Sequence, residues 1–226
     1  MQINLALPKT KQKKLPAFSH RELLIIFCFS AAIIVGWFFP AKSAGEFFWI
    51  SIFLFLIFPA LIIKFLLKEP LAKFGLSRGK PKTGIVSAIS FAVIAIVIMI
   101  FLIKIPELRN QIRLLPGIAS SFSYFLGAEL IIIPIIFFSR EFFFRGFIQL
   151  GLEEKFGGYA LLLQAALFAL LFVKSSWLEL AYAFLSALAA GLIVKFSRSI
   201  YYSFPALWII SLVTDILVIR IVSRSI

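Results

Sequence analysis

Seven apolar runs of about twenty residues, divided by short charged or glycine-containing breaks, restrict this chain to very few folds. A helix rises about 1.5 Å per residue and a bilayer's hydrocarbon core is about 30 Å thick, so a crossing takes about twenty residues. The runs cover about Leu23–Phe39, Phe47–Leu67, Gly84–Ile103, Ile118–Phe138, Tyr159–Val173, Trp177–Phe196 and Tyr201–Ile219. With 62% apolar residues and a mean hydropathy of +1.06, the chain has more greasy surface than a water-soluble domain of this size needs. Lipid cannot satisfy a bare backbone, so each run must be helical, and the alternating pattern of a membrane β-barrel is absent. The expectation is an all-α, polytopic transmembrane bundle of about seven spans. It forms one domain over residues 23–226, after a basic segment over 1–22. The first run reaches Pro40 without a small-residue cleavage site, so it reads as a retained span. Ser186, Ala187, Ala189, Ala190 and Gly191 in the sixth run allow close helix packing.

The formal net charge is +13, and the Lys and Arg cluster between the spans. An N-terminus inside puts residues 1–21, 68–83, 140–158 and 195–199 on one side, with 15 Lys and Arg against 7 on the other. That bias favours a cytoplasmic N-terminus and an external C-terminus, and the short length without a targeting segment points to a prokaryotic plasma membrane. The basic balance therefore reads as topology and attraction to membrane lipids. No soluble basic surface remains for nucleic acid. Cys28 is the one cysteine, which excludes an internal disulfide and reads as a small buried apolar residue. Lys104–Pro116 is polar enough for an interfacial helix, and Lys64 can snorkel from the end of its span.

Charge at membrane depth is costly and is rarely kept without a partner or a job. The densest cluster is Arg140-Glu141-Phe142-Phe143-Phe144-Arg145-Gly146-Phe147. Glu141 and Arg145 stand four apart with the acid first, so on a helix they share a face and can pair. The pair reads either as a carboxylate that activates water or as a structural ion pair. Arg140 points elsewhere and reads as an anchor, near lipid phosphate or stacked on phenylalanine. Glu129 lies twelve residues before Glu141, roughly 18 Å along a straight helix and too far for a carboxylate dyad. It reads as a buried acid bonded to a neighbouring helix. Asp215, with Ser211 one turn before it, also needs a partner, and Arg140, Arg145 and Lys174 are the candidate cations. Glu179 suggests an interfacial pair with Lys174. His20, the one histidine, precedes the first span. No cluster of His, Cys, Asp and Glu has metal-ligand spacing, and no cofactor is expected.

From Arg140 to about Leu217 the chain resembles the CPBP family of intramembrane proteases, which includes the CAAX prenyl endopeptidases and bacteriocin-immunity-type proteins. The family-like core spans about 118–222. The family's first motif, Glu-Glu-x-x-x-Arg followed by Gly-Phe-hydrophobic-Gln, matches Arg140–Gln149 except that Arg140 replaces the first Glu. The second, Phe-x-x-x-His, fits Phe168–Phe172 with Phe172 in the histidine position. The third, His-x-x-x-Asn or Asp, fits Ser211–Asp215 with Ser211 in the histidine position. Leu71–Leu76 is similar to the loop that precedes the family's core. The resemblance implies a mechanism in which the first Glu and a His activate water while other polar residues hold the oxyanion. Such chemistry needs a base within reach of water and donors aimed at the developing charge. Arg140 is always protonated, Phe172 has no lone pair, and arginines beside Glu141 make it a poor base. Glu141, Arg145 and Asp215 are what the motifs retain.

The resulting expectation is a membrane protein with a decayed proteolytic site that binds a hydrophobic or lipidated peptide, a lipid or a partner membrane protein. Two alternatives stand beside it. One is a divergent endopeptidase using Glu141 and Asp215. The other is a small transporter or lipid-handling protein in which Glu129 and Asp215 carry protons or bind a cation.

Overall fold

The structure is a computed structural model. It describes residues 19–222 apart from 39, 40, 42, 111, 113, 116 and 120. The basic segment expected over 1–22 therefore lies outside the described residues up to Phe18. All regular structure among the described residues is helical. Six helices are long and apolar enough to cross a membrane: α1 (His20–Phe38), α2 (Ala44–Leu67), α3 (Pro81–Leu102), α4 (Phe122–Phe156), α6 (Trp177–Ser197) and α7 (Ile200–Val222). The seventh, α5 (Tyr159–Leu170), has 12 residues, about 18 Å of rise and short of a full crossing.

The short α5 nevertheless connects the two ends of the bundle. Gly158, just before it, lies near Lys195 at the end of α6. Lys174, just after it, donates to the Trp37 carbonyl at the far end of α1, at 3.4 Å. The remaining distance is covered by tight turns, with Phe172 N–H bonding the Ala169 carbonyl at 2.8 Å. The seven-run reading thus holds for the path of the chain, but the fifth run ends as helix at Leu170, three residues before the expected Val173. Two other expectations need correction. Among the described residues of Lys104–Pro116, one short helical turn forms, Pro106–Arg109, with proline at its first position. The fourth run starts as helix at Phe122, not Ile118, and runs on past Phe138 through the charged cluster to Phe156. Nothing between Phe138 and Gly157 breaks a helix, so α4 continues and carries the charged cluster inside it.

α4 is the axis of the fold. Every residue from Glu141 to Leu152 is buried. Phe142, Phe143, Phe144 and Phe147 form an aromatic core with Phe55 of α2 and Phe168 of α5. Several turns are wider than α-helical. Two of them, Phe53–Ile57 in α2 and Ala128–Ile132 in α4, come just before Pro59 and Pro134. A proline ring crowds the carbonyl four residues back and donates no hydrogen bond, so the preceding turn loosens. The longest of them, Phe142–Leu150, begins just after Glu141 and carries Arg145. Wide turns of this kind often occur at functional sites.

The loop after α2 folds inward against this stretch. Leu71–Phe74 forms one tight turn, Phe74 is buried, and its carbonyl abuts Gly146 so closely that no larger residue fits there. Gly75, at φ +84°, accepts from the Ile200 N–H at 3.1 Å and so fixes the start of α7. The loop similar to the family's pre-core segment is therefore a wedge between the two helices that carry the site.

Candidate functional site

The ion pair expected from the i, i+4 spacing is formed deep in the protein. Arg145 Nη1 lies 3.0 Å from Glu141 Oε1, and both side chains are 1% exposed. The other carboxylate oxygen, Oε2, accepts from the Ser203 hydroxyl of α7 at 2.5 Å. Ser203 in turn lies 3.3 Å from the Ile200 carbonyl. The Arg145 guanidinium sits over the Phe168 ring, 4.7 Å from its centroid. One nitrogen of the cation meets a carboxylate and its carbon sits over an aromatic surface, an arrangement suited to a buried charge.

One and two turns further along, the wall stays polar. Gln149 donates to the Gly191 carbonyl at 2.8 Å, and Gln164 of α5 donates to the Ala187 carbonyl at 2.9 Å. Gly191 is required where these amides converge, since a β-carbon there would sit 2.6 Å from Gln164 Nε2 and 2.8 Å from Gln149 Oε1. The carbonyl oxygens of both glutamines and the Arg145 Nε are buried without a hydrogen-bond partner. Those orphaned groups leave the site able to accept a polar ligand group or water.

Of the residues singled out by sequence, the structure unites Glu141 and Arg145 and separates the others. Arg140, in the position of the expected Glu, turns away and lies over Phe47 of α2 at 5.1 Å. Phe172 packs 5.5 Å from Phe168, one ring removed from Arg145. Ser211 is half-buried on α7, one turn before Asp215. Asp215 meets none of the three cations proposed for it among the described contacts. Its carboxyl group lies beside that of Glu129 instead, both buried, and the Trp208 indole donates to the Glu129 carbonyl at 2.8 Å. α4 and α7 run antiparallel, so Ser203 meets Glu141 while Asp215, twelve residues later, meets Glu129, twelve residues earlier. Asp215 is therefore roughly 18 Å from Glu141 along the helices.

Lys174 is committed to Trp37, through its carbonyl and at 5.3 Å through its ring, while the Glu179 backbone N–H bonds the Ser176 hydroxyl and caps α6. His20 is exposed at the first residue of α1, and Cys28 is buried. Among the described residues no group of His, Cys, Asp and Glu could hold a metal ion. Ser203 and Gln164 are site residues that sequence reasoning missed, while Gly191, singled out for close helix packing, also borders the site. A glutamine inside an apolar run was the available signal for Gln164. Nothing local distinguished Ser203 from Ser199 or Ser211.

Comparison with known families assigns the region. Residues 122–213 match the family model for the Type II CAAX prenyl endopeptidase Rce1-like family. The match covers α4, α5, α6 and most of α7, and so contains Glu141, Arg145, Phe172 and Ser211 but stops short of Asp215. No curated protein and no solved structure matches the chain.

Proposed function

We propose, from the match of residues 122–213 to the Rce1-like family model, that the chain is a CPBP-type membrane protein whose catalytic site has decayed and that it acts without catalysis. In this reading it is an integral membrane protein that holds a hydrophobic or lipidated peptide, a lipid or a partner helix. The observation that carries the reading is the state of Glu141. One of its oxygens is taken by Arg145 and the other by Ser203. A general base must be free to reach the proton it removes, and Glu141 is instead the counter-ion of a buried guanidinium.

The rest of the site supports this. Arg140 cannot accept a proton, and the chain's one histidine, His20, is exposed at the first residue of α1. Asp215 lies roughly 18 Å from Glu141, which removes the partner that an endopeptidase built on those two acids would need. The transport or lipid-handling reading keeps one observation in its favour, the buried side-by-side carboxyl groups of Glu129 and Asp215. The positive-inside bias supports a cytoplasmic N-terminus, and the reading keeps the protein in a prokaryotic plasma membrane.

The test is a cleavage assay on the whole protein in lipid, with a library of membrane-anchored and prenylated peptides and Glu141→Ala as control. The folded wild type should cleave none of them, while some are retained by it. Cleavage that vanishes in the variant would overturn the proposal.

A further inference from the structure

At the end of the bundle where α1 begins, every described carboxylate is already taken. Glu69 pairs with Arg21 at 2.5 Å and with Lys73 at 3.4 Å, and Glu154 pairs with Arg21 at 2.6 Å. Glu22 pairs with Lys155 at 3.5 Å, and Glu153 pairs with Arg198. These pairs bind the start of α1, the loop after α2, the end of α4 and the α6–α7 corner into one ring.

Lys68, Arg78, Lys80 and Lys82 lie at the same end, all exposed and without an ionic partner among the described residues. Their loop is held in place. The Tyr202 hydroxyl donates to the Arg78 carbonyl at 2.8 Å, and the Lys80 N–H donates to the Ser197 carbonyl at 2.7 Å. Gly79, at φ +53°, is pressed against that same Ser197 carbonyl, where a side chain would collide. A cationic arm fixed in this way loses little freedom when it binds. Its level in the membrane is set by α3, which starts at Pro81 and exposes Ile85, Val86 and Ile89 immediately afterwards. Apolar side chains facing outward from the first turns put Arg78–Lys82 at the depth of the phosphates.

We propose that the clamped arm Arg78–Lys82, with Lys68 beside it, is a docking site for the phosphate-bearing headgroups of anionic phospholipids. Positive charge that no carboxylate of the ring neutralises faces a layer of fixed negative charge, and each cation near such a surface strengthens binding about five-fold. The site lies apart from Glu141 and does not depend on the decayed-site reading.

The experiment measures lipid retained by the full-length protein in detergent, by intact-protein mass spectrometry, with phosphatidylglycerol against phosphatidylcholine. Wild type should retain phosphatidylglycerol selectively. R78Q/K80Q/K82Q should lose about a hundred-fold in that affinity, and K82Q alone about five-fold, so that a folding defect in the triple variant leaves the single one to decide. K104Q, at the other end of the bundle, should change nothing. Equal retention of the two lipids, or unchanged retention by K82Q, would overturn the proposal. So would displacement of the lipid by inorganic phosphate at equal concentration, which would point to a soluble phosphate ligand.

Discussion

Glu141 and Arg145 form the buried ion pair at the centre of the candidate site. Removing one partner of a buried pair strands the other charge. Glu141→Gln should therefore destabilise the protein by about 3–5 kcal/mol, read as thermal unfolding in detergent. Glu141→Gln combined with Arg145→Met should recover most of that loss, because no lone charge remains. Ser203→Ala leaves one carboxylate oxygen without its donor and should cost less, about 1–3 kcal/mol. If the double variant is as unstable as the single, the pair is not the unit described here. The ion pair was legible in the sequence because four-residue spacing on a helix is local geometry. The Ser203 contact was not, since it depends on how two helices 62 positions apart in sequence align. For the same reason Asp215 looked like a partner for the arginines, although the antiparallel alignment of α4 and α7 pairs it with Glu129.

At the scale of the elements, composition located the helices well and their ends less well. The apolar runs mark where lipid demands helix, but α4 continues past Phe138 because tertiary burial shelters its charges. α5 stops early because tight turns complete the crossing. Gly146 gives the sharpest test of how elements fit. Its missing side chain lets the Phe74 carbonyl rest on α4. Gly146→Ala should push the Leu71–Phe74 turn outward, costing about 1–3 kcal/mol as an overpacked contact. Limited proteolysis should then cut within residues 70–80 faster than in wild type. An unchanged cleavage rate would mean that the wedge is not held by α4.

For the whole molecule, the ring of ion pairs predicts a response to acid. Partial burial alone would raise the Glu69 carboxyl, but the hydrogen bond and charge of Arg21, with Lys73 behind them, outweigh it and hold the group below the ordinary carboxylate range. A carboxylate lowered by folding stabilises the folded state above its unfolded value, and that contribution fades as pH falls through the folded value. The melting temperature should therefore hold at neutral pH and decline below about pH 4, and Arg21→Gln should flatten the decline. The sequence placed the four segments of this ring on one side by counting cations. It could not show that their acids are used up by internal pairs.

The two bonds between α4 and α7 also limit how the bundle can move. Ser203 holds Glu141, and Trp208, five residues later on α7, holds the Glu129 backbone twelve residues earlier on α4. With both points fastened, one helix cannot slide along the other like a piston, because a shift of even one residue would break both together. The pair can still swing apart like a book, pivoting on whichever fastening stays closed. Opening of the bundle around Arg145 is therefore expected as a splaying of α4 from α7, not as a slide along their axes.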